Sequence, residues 1–338
     1  AWVAAFYFWL SMPLGALALL LIWDLTGGKW EQVARVPMSA MAATMPLFVL
    51  LFLPIIAGMH DLYSWTRPEA VAHLHNRWYL NSEFFFIRAA SYFVIWNGFM
   101  VWRLLRPTMP NGVAPPGLQW VSAIGIMLMG YSVTFASIDW LMSTEPDWFS
   151  SIYGMVAGSG QFIASLALAL VLIAAAAPPR GLARQPFESA LASLCTLLVA
   201  VLIFWAYTTF CQWLIIWEEN IRSEIGWYLE RWRGAWASVI YTLAGAHFAI
   251  PFATLVWTPT KRKPGVVASV CVLLILANLV QIWWLFLPSF HSVGFSWLHP
   301  VVAIGMGGLW FVLLAILLRL LSALPHPRER AEGQLIHG

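Results

Sequence analysis

Charge is scarce in this sequence. Only 10% of its 338 residues are Asp, Glu, Lys or Arg, against about a quarter in a soluble domain. A chain so poor in charge cannot cover a water-facing surface, which excludes a secreted or cytosolic globular protein. The net charge is +3, and no basic stretch is long enough to follow a phosphate backbone, so nucleic acid is excluded as a partner. Cysteine is scarce as well. Cys195, Cys211 and Cys271 fall in apolar runs, none in a CxxC or CxxCH spacing. That argues against disulfides, iron–sulfur ligation and c-type haem attachment, and the three read as small core residues. Apolar–polar alternation of period two is missing, and a β-barrel with it.

Apolar residues, by contrast, make up 61% of the chain, and the mean hydropathy is +0.76. The composition is that of an all-α integral membrane protein, since a spanning helix needs about 20 mostly apolar residues. Nine such runs are legible: 1–23, 41–58, 84–105, 118–142, 150–176, 189–217, 234–257, 265–288 and 298–322. Each break has a cause. The stretch Asp24–Lys29 ends the first run, and Pro107, Pro110, Pro115 and Pro116 fill the third loop. Pro178 and Pro179 stop the fifth run, and Pro259 and Pro264 frame a basic turn after the seventh. Many of the 22 tryptophans lie where runs end, among them Trp23, Trp102, Trp120, Trp140, Trp217, Trp236, Trp257 and Trp297, as in an aromatic belt at the headgroups. The chain opens on Ala1 already inside an apolar run, with no charged lead or cleavage site, so a further helix is expected before it.

The few charges orient the spans. The odd-numbered loops and the tail hold 12 of the 18 Lys and Arg: Lys29, Arg35, Arg103, Arg106, Arg180, Arg184, Lys261, Arg262, Lys263, Arg319, Arg328 and Arg330. The even loops hold Arg67, Arg77, Arg222, Arg231 and Arg233, and Arg88 stands inside the third span. By the positive-inside rule the odd loops and the C-terminus face the cytoplasm. The outer loops are then His60–Glu83, Ser143–Ser150, Glu218–Arg233 and Ser289–Trp297. The first and third are long and rich in Trp, Tyr and carboxylates, as loops that dock a partner or cap a bundle are.

Ionisable residues at depth are costly and mark candidate sites. Arg88 has Ser91 and Tyr92 on its face. It either snorkels to the headgroups, pairs with Glu83, or reaches Asp139, which stands at similar depth near the outer end of the fourth span. Asp139 shares a face with Ser132, and Glu145 and Asp147 lie just beyond it. As a proton carrier Asp139 needs desolvation; as an ion-pair partner it needs Arg88. His247 is the deepest, about 20 Å into the seventh span at 1.5 Å per residue. A b-type haem needs a second buried histidine, and the others (His60, His73, His75, His291, His299, His326 and His337) stand in loops, at span ends or in the tail. His60 with His73 and His75 is too weak a pattern for a metal. On the sixth span Tyr207 and Cys211, and Thr208 and Gln212, are spaced i, i+4 and lead toward Glu218 and Glu219; on the eighth, Asn278 and Gln281 are i, i+3. Such residues serve as interhelical hydrogen-bond glue or line a wet path with His247. Pro13, Pro46, Pro54 and Pro251 are tolerated kinks along it.

The strings LTGGKW, MHDLYSW, YLNSEFFFIRAASYFVIW, SIDWLMSTEPDWFSSIYG, FWAYTTFCQWLIIWEENI and HFAIPF occur in one order. In that order the chain resembles the ActF subunits of bacterial alternative complex III, a quinol:electron-acceptor oxidoreductase, and more distantly the NrfD and polysulfide-reductase membrane subunits. The resemblance runs from about Trp2 to about Phe290. It implies ten helices in the family: two four-helix bundles flanked by a peripheral helix at each end. Here residues 1–142 would be one bundle, 150–288 the second, 298–322 the last peripheral helix and 323–338 a cytoplasmic tail. It further implies a bacterial inner-membrane chain that binds no haem or cluster itself. Its expected partners are a sister ActC-like membrane subunit that binds quinol, periplasmic multihaem cytochrome c and iron–sulfur subunits, and lipids. Asp139 and His247, with Arg88, are the residues carried over as a proton route; Tyr207 and Gln281 border it. Glu218 and Glu219 depart from the family pattern, which has an aromatic–small pair there, and extend the route's outer mouth or bind a partner's cation.

Three functions compete on this reading: a proton-conducting subunit, a scaffold whose polar residues only pair with one another, and a quinone-binding subunit using Arg88 and Asp139. A secondary transporter would show an inverted repeat between its halves, and none is legible.

Overall fold

A computed structural model of the chain describes residues 1–28, 30–71, 76–106, 117–179, 181, 184–290 and 295–323. Among these residues every regular element is helical, and nine helices are long and apolar enough to cross a bilayer. They are Trp2–Thr26, Val33–Ala57, Ser82–Leu105, Gln119–Thr144, Tyr153–Ala175, Arg184–Glu219, Ala235–Val256, Pro264–Ser289 and Leu298–Ser322, spans 1 to 9 below. The chain is an all-α, multi-pass membrane protein. Lys29, Arg180, the prolines at 107, 110, 115 and 116, His73, His75, His291 and the tail with Arg328, Arg330, His326 and His337 lie outside the described residues.

Several boundaries differ from the sequence expectation. Span 1 runs on through Asp24 to Thr26, because Asp24 is buried and ion-paired and so does not end the helix. Span 2 starts earlier, at Val33, and is interrupted at residues 43–44 between the helices Glu31–Ala42 and Met45–Ala57. Pro46 cannot donate to the preceding turn. Thr44 stabilises the break: its hydroxyl donates to the Met41 carbonyl at 2.6 Å and accepts from Trp310 Nε1 at 2.9 Å. Span 6 has 36 residues, about 54 Å of helix against a hydrocarbon core of about 30 Å, longer than an untilted crossing needs. Span 7 contains a π-helical stretch, Ala244–Ala249, just before Pro251; the wider turn adjusts the hydrogen-bond ladder where proline supplies no N–H. The Glu218–Arg233 loop is not irregular. It holds the helix Arg222–Arg231, which buries Trp227, Tyr228 and Arg231.

Span 1 is the central pillar, apolar on all sides and buried along almost its whole length. It packs on spans 2, 3 and 4, while span 3 also meets spans 2 and 4. Spans 5 to 8 form a second group, span 5 against 6 and 8, and span 7 against the same two. Spans 1 and 5 press together at the seam, and span 9 lies outside against spans 1 and 2. Small residues allow the seam to close. A Cβ added at Gly15 would stand 2.4 Å from Ser165 Cβ, and Ser165 Oγ donates to the Met12 carbonyl at 2.8 Å. Span 9 is fastened by Trp9 Nε1, which donates to the Ala303 carbonyl at 2.7 Å.

Two expected belt tryptophans are core residues instead: Trp23 and Trp140 are buried, Trp140 amid Phe6, Phe52, Phe93 and Trp96. Trp120, Trp217, Trp257 and Trp297 are exposed near span ends. Cys195 and Cys271 are buried and Cys211 is half-buried, all as free thiols.

The junction of spans 4 and 5 supplies a test of this packing. A Cβ at Gly154 would lie 2.4 Å from Thr134 Cγ2 and 2.9 Å from its Cα, so backbone would have to move. Gly154→Ala is expected to destabilise the chain by about 1–3 kcal/mol, read as a lower unfolding midpoint in detergent. Gly158→Ala, which meets only Val133 Cγ1 at 3.3 Å, should cost clearly less. Equal midpoints for the two variants would contradict the packing.

Candidate functional site

Span 3 begins at a well-formed cap, Asn81 Oδ1 accepting from the Phe84 N–H at 2.9 Å. Arg88 follows about 9 Å inside the helix at 1.5 Å per residue. Span 4 runs antiparallel to span 3, so Asp139, near its far end, stands level with Arg88. The two form a bidentate pair: Arg88 Nε donates to Asp139 Oδ2 at 2.8 Å and Nη2 to Oδ1 at 3.0 Å. Two phenols complete the carboxylate's shell. Tyr79 donates to Oδ1 at 2.9 Å, and Tyr92 to Oδ2 at 2.7 Å. The remaining guanidinium edge donates to the Tyr79 carbonyl at 2.9 Å, and its face lies over the rings of Tyr79 and Phe84 at 3.9 and 4.4 Å. Arg88 is 8% exposed and Asp139 1%.

Of the three partners open to Arg88 in the sequence, the structure therefore selects Asp139. Tyr92, one helical turn on, joins as its spacing suggested. Ser91 does not, since its hydroxyl turns back to the Ile87 carbonyl at 2.7 Å on the exposed face. Ser132 accepts from Trp96 Nε1 at 2.8 Å and does not reach Asp139 directly. Tyr79, in the segment before span 3, was missed; the only local signal is its place in the YLNSEFF string ahead of the cap. Burial, then the adjacent Asp139 charge, raises the Tyr79 phenol above its ordinary range, so it stays a protonated donor at neutral pH.

At the opposite end of spans 3 and 4 lies a second buried cluster for which the sequence carries no local signal. Asp24, from span 1, accepts from Ser122 Oγ at 3.0 Å, pairs with Arg103 Nε at 3.0 Å and is also hydrogen-bonded by Arg106 Nη2. All four side chains are buried. The sequence expectation makes Arg103 and Arg106 loop charges and Asp24 a helix stop; in the structure all three are buried and paired, and span 1 continues through Asp24. Arg88 and Arg103 are fifteen residues apart on one helix, about 22 Å, so a buried charge cluster stands near each end of spans 3 and 4.

A third pair joins the connection between spans 4 and 5 to the helix between spans 6 and 7. Arg231, fully buried, donates to Glu145 Oε1 at 2.9 Å, to the carbonyls of Trp284 and Leu285, and stacks 3.6 Å over the Trp227 ring. Burial pulls its guanidinium below the ordinary range, and the Glu145 charge opposes that. The sequence places Arg231 in a loop and Glu145 just beyond the fourth span; the structure buries Arg231 and pairs the two. Lys261, expected in a basic turn, is buried and donates to Thr196 Oγ1 at 3.0 Å.

The other predicted site residues are scattered. His247 is fully buried in the π-helical stretch with its ring 4.2 Å from that of Trp205, and neither ring nitrogen has a hydrogen-bond partner among the described residues. Gln281 is buried and accepts from Asn278 Nδ2 at 3.3 Å where span 8 crosses Gly160 of span 5. Thr208 and Gln212 face inward, but Tyr207 is 64% exposed on the outer surface of span 6, and Glu218 and Glu219 are exposed at its end. The expected inward polar face of span 6 therefore includes the Thr208–Gln212 pair and not Tyr207, because residues 207 and 208 are turned about 100° apart on a helix. The direct partners of Asp139 come from spans 3 and 4 and the segment before span 3, so the structure does not join these groups to it. His60 Nδ1 lies 3.1 Å from Thr66 Oγ1. Among the described residues no group of three or more His, Cys, Asp or Glu is placed to hold a metal ion.

The Asp139 cluster is chemically a carboxylate with four donors on two oxygens. The guanidinium fixes its charge, while each phenol brings an exchangeable proton to a carboxylate oxygen. No family model and no curated protein matches the chain.

Proposed function

We propose that this chain is an ActF-like subunit of a bacterial quinol:electron-acceptor oxidoreductase, and that its first four spans carry a proton route with Asp139 as a station. The observation that carries the route is the unbroken hydrogen-bond line from half-buried Tyr79, outside the spans, through Asp139 to buried Tyr92 within span 3. In this reading the chain sits in the cytoplasmic membrane with its C-terminus inside and the Asp139 end outward. The loop charges and the ordered family strings support that placement. Quinol would be bound mainly by a sister subunit of the ActC type. Haem c and iron–sulfur clusters would belong to periplasmic partner subunits, and His247 would serve the route from the second group of spans.

The test is Asp139→Asn in the assembled complex, with protons translocated per electron measured beside quinol oxidation. Asparagine keeps the size and one acceptor oxygen, puts an amide donor in place of the other and cannot carry the proton, so the yields are taken per assembled complex. The expected result is a lower proton yield with quinol oxidation largely intact; an unchanged yield would sink the proposal. One observation favours a second reading, a scaffold: four donors saturate Asp139, as a structural clamp requires. On that reading the variant lowers the amount of assembled complex and leaves both turnover and proton yield per complex unchanged.

A further inference from the structure

Span 7 ends at Val256 and span 8 begins at Pro264. The turn between them, 257–263, carries three successive cations, Lys261, Arg262 and Lys263. It holds the short helix Thr258–Lys261, which packs on spans 6, 7 and 8. Arg262 and Lys263 are exposed, whereas Lys261 is buried. A lysine at a span end ordinarily snorkels its charge into water. Lys261 is instead held against span 6, its ammonium donating to Thr196 Oγ1 at 3.0 Å. Thr196 belongs to the exposed side of that span, and its neutral hydroxyl gives its own proton to the Ala192 carbonyl at 2.9 Å.

No carboxylate balances these charges. Among the described residues none of the three cations forms an ion pair. The sequence supplies the reason: between Glu230 and Glu329 it contains no Asp or Glu. Spans 7 and 8 therefore offer no acid, and Glu188, the acid of span 6 at this end, is held by Arg184 at 2.6 Å. Span 8 adds partial positive charge at the same place. It starts without a side-chain cap and without an acid in its first turn, and the N–H groups of Gly265 and Val266 have no carbonyl within the helix to bond. The space beside Gly265 is open. Trp257 and Val256, 65% and 51% exposed, set the turn at the edge of the apolar layer, where an indole favours the headgroups.

We propose that this turn binds the phosphate of an anionic phospholipid, with Lys261, Arg262 and Lys263 as its counter-charges and the first N–H groups of span 8 as further donors. Lipid phosphate is the negative charge present at that depth, and basic clusters at span ends attract it. A zwitterionic headgroup brings its own cation beside the phosphate, which three unpaired cations disfavour; an anionic headgroup does not. The site is separate from the Asp139 cluster, and its test depends neither on the proton route nor on which face is cytoplasmic.

The full chain, stripped of lipid in a neutral maltoside detergent, is titrated with phosphatidylglycerol and with phosphatidylcholine of the same acyl chains, and bound lipid is counted by native mass spectrometry. The first phosphatidylglycerol should bind at a concentration roughly tenfold below phosphatidylcholine. Lys261→Gln, and separately the double change Arg262→Gln with Lys263→Gln, should each raise its half-saturating concentration about fivefold or more. Arg319→Gln, which removes an exposed cation at the end of span 9, should leave it unchanged. Equal binding of the two lipids or no saturable phosphatidylglycerol adduct would overturn the proposal. So would weakening in neither variant beyond that of Arg319→Gln, or displacement of the lipid by inorganic phosphate at matching concentration, which marks a site for free anions. Should Lys261→Gln fail to fold, the exposed pair and the lipid comparison on the unaltered chain still decide.

Discussion

Arg88→Leu is expected to destabilise the folded chain by about 3–5 kcal/mol, the cost of stranding one partner of a buried ion pair. Asp139, 1% exposed, would keep its two phenol donors but lose both guanidinium bonds and, among the described residues, the one cation hydrogen-bonded to it. Leucine cannot replace the contact with the Tyr79 carbonyl either. The measurement is the unfolding midpoint in a detergent titration, with Arg88→Lys as a graded control. Lysine restores a charge without the two-pronged geometry and should recover only part of the loss. The decisive variant is the double change Arg88→Leu with Asp139→Asn. With no ion left unpaired, it should be more stable than Arg88→Leu alone. A double variant no better than the single one would show that the pair is not what holds spans 3 and 4 level.

The second large effect is expected at the other end of the same helices. Asp24→Leu removes the carboxylate shared by Arg103 and Arg106, both buried, and leaves two like charges close together. A loss of about 3–5 kcal/mol is again expected, with Asp24→Asn intermediate because its amide oxygen still accepts. Span 1 should loosen against spans 3 and 4 first, so amide exchange in the last turns of span 1 should quicken more than that near Trp9. A midpoint within about 0.5 kcal/mol of the native chain, the range of an ordinary surface change, would show that the arginines find water or headgroups instead.

These expectations also mark how far the residues alone could be read. All nine spans were legible because hydropathy over about 20 residues is a local property, and backbone in a bilayer must satisfy itself within each helix. The Arg88–Asp139 pair was legible as one of three options, because two rare charges at similar depth in adjacent antiparallel helices have few other partners. Tyr92 followed from its i+4 spacing. Tyr79 did not, since a tyrosine ahead of a helix cap looks the same whether it faces headgroups or folds over an arginine.

The misreadings share one cause. Asp24, Arg103, Arg106, Glu145, Arg231 and Lys261 stand within a turn or two of span ends or in short connections, where a charge is ordinarily solvated. Whether such a charge meets water or a counter-ion depends on what the other helices bring alongside, and no local pattern records that. The same holds for Trp23 and Trp140, which have the sequence positions of belt residues and the surroundings of core residues, and for Tyr207, which differs from Thr208 only by the rotation of one residue.

Scarce charge and long apolar runs were therefore enough to determine a multi-pass helical membrane protein and its span order, because transfer to a bilayer is decided helix by helix. Which of the 33 Asp, Glu, Lys and Arg residues are buried, and with what partners, was decided only when the helices packed. An ion pair lowers the cost of burial for both members at once, so its presence is a property of two distant segments and of neither alone.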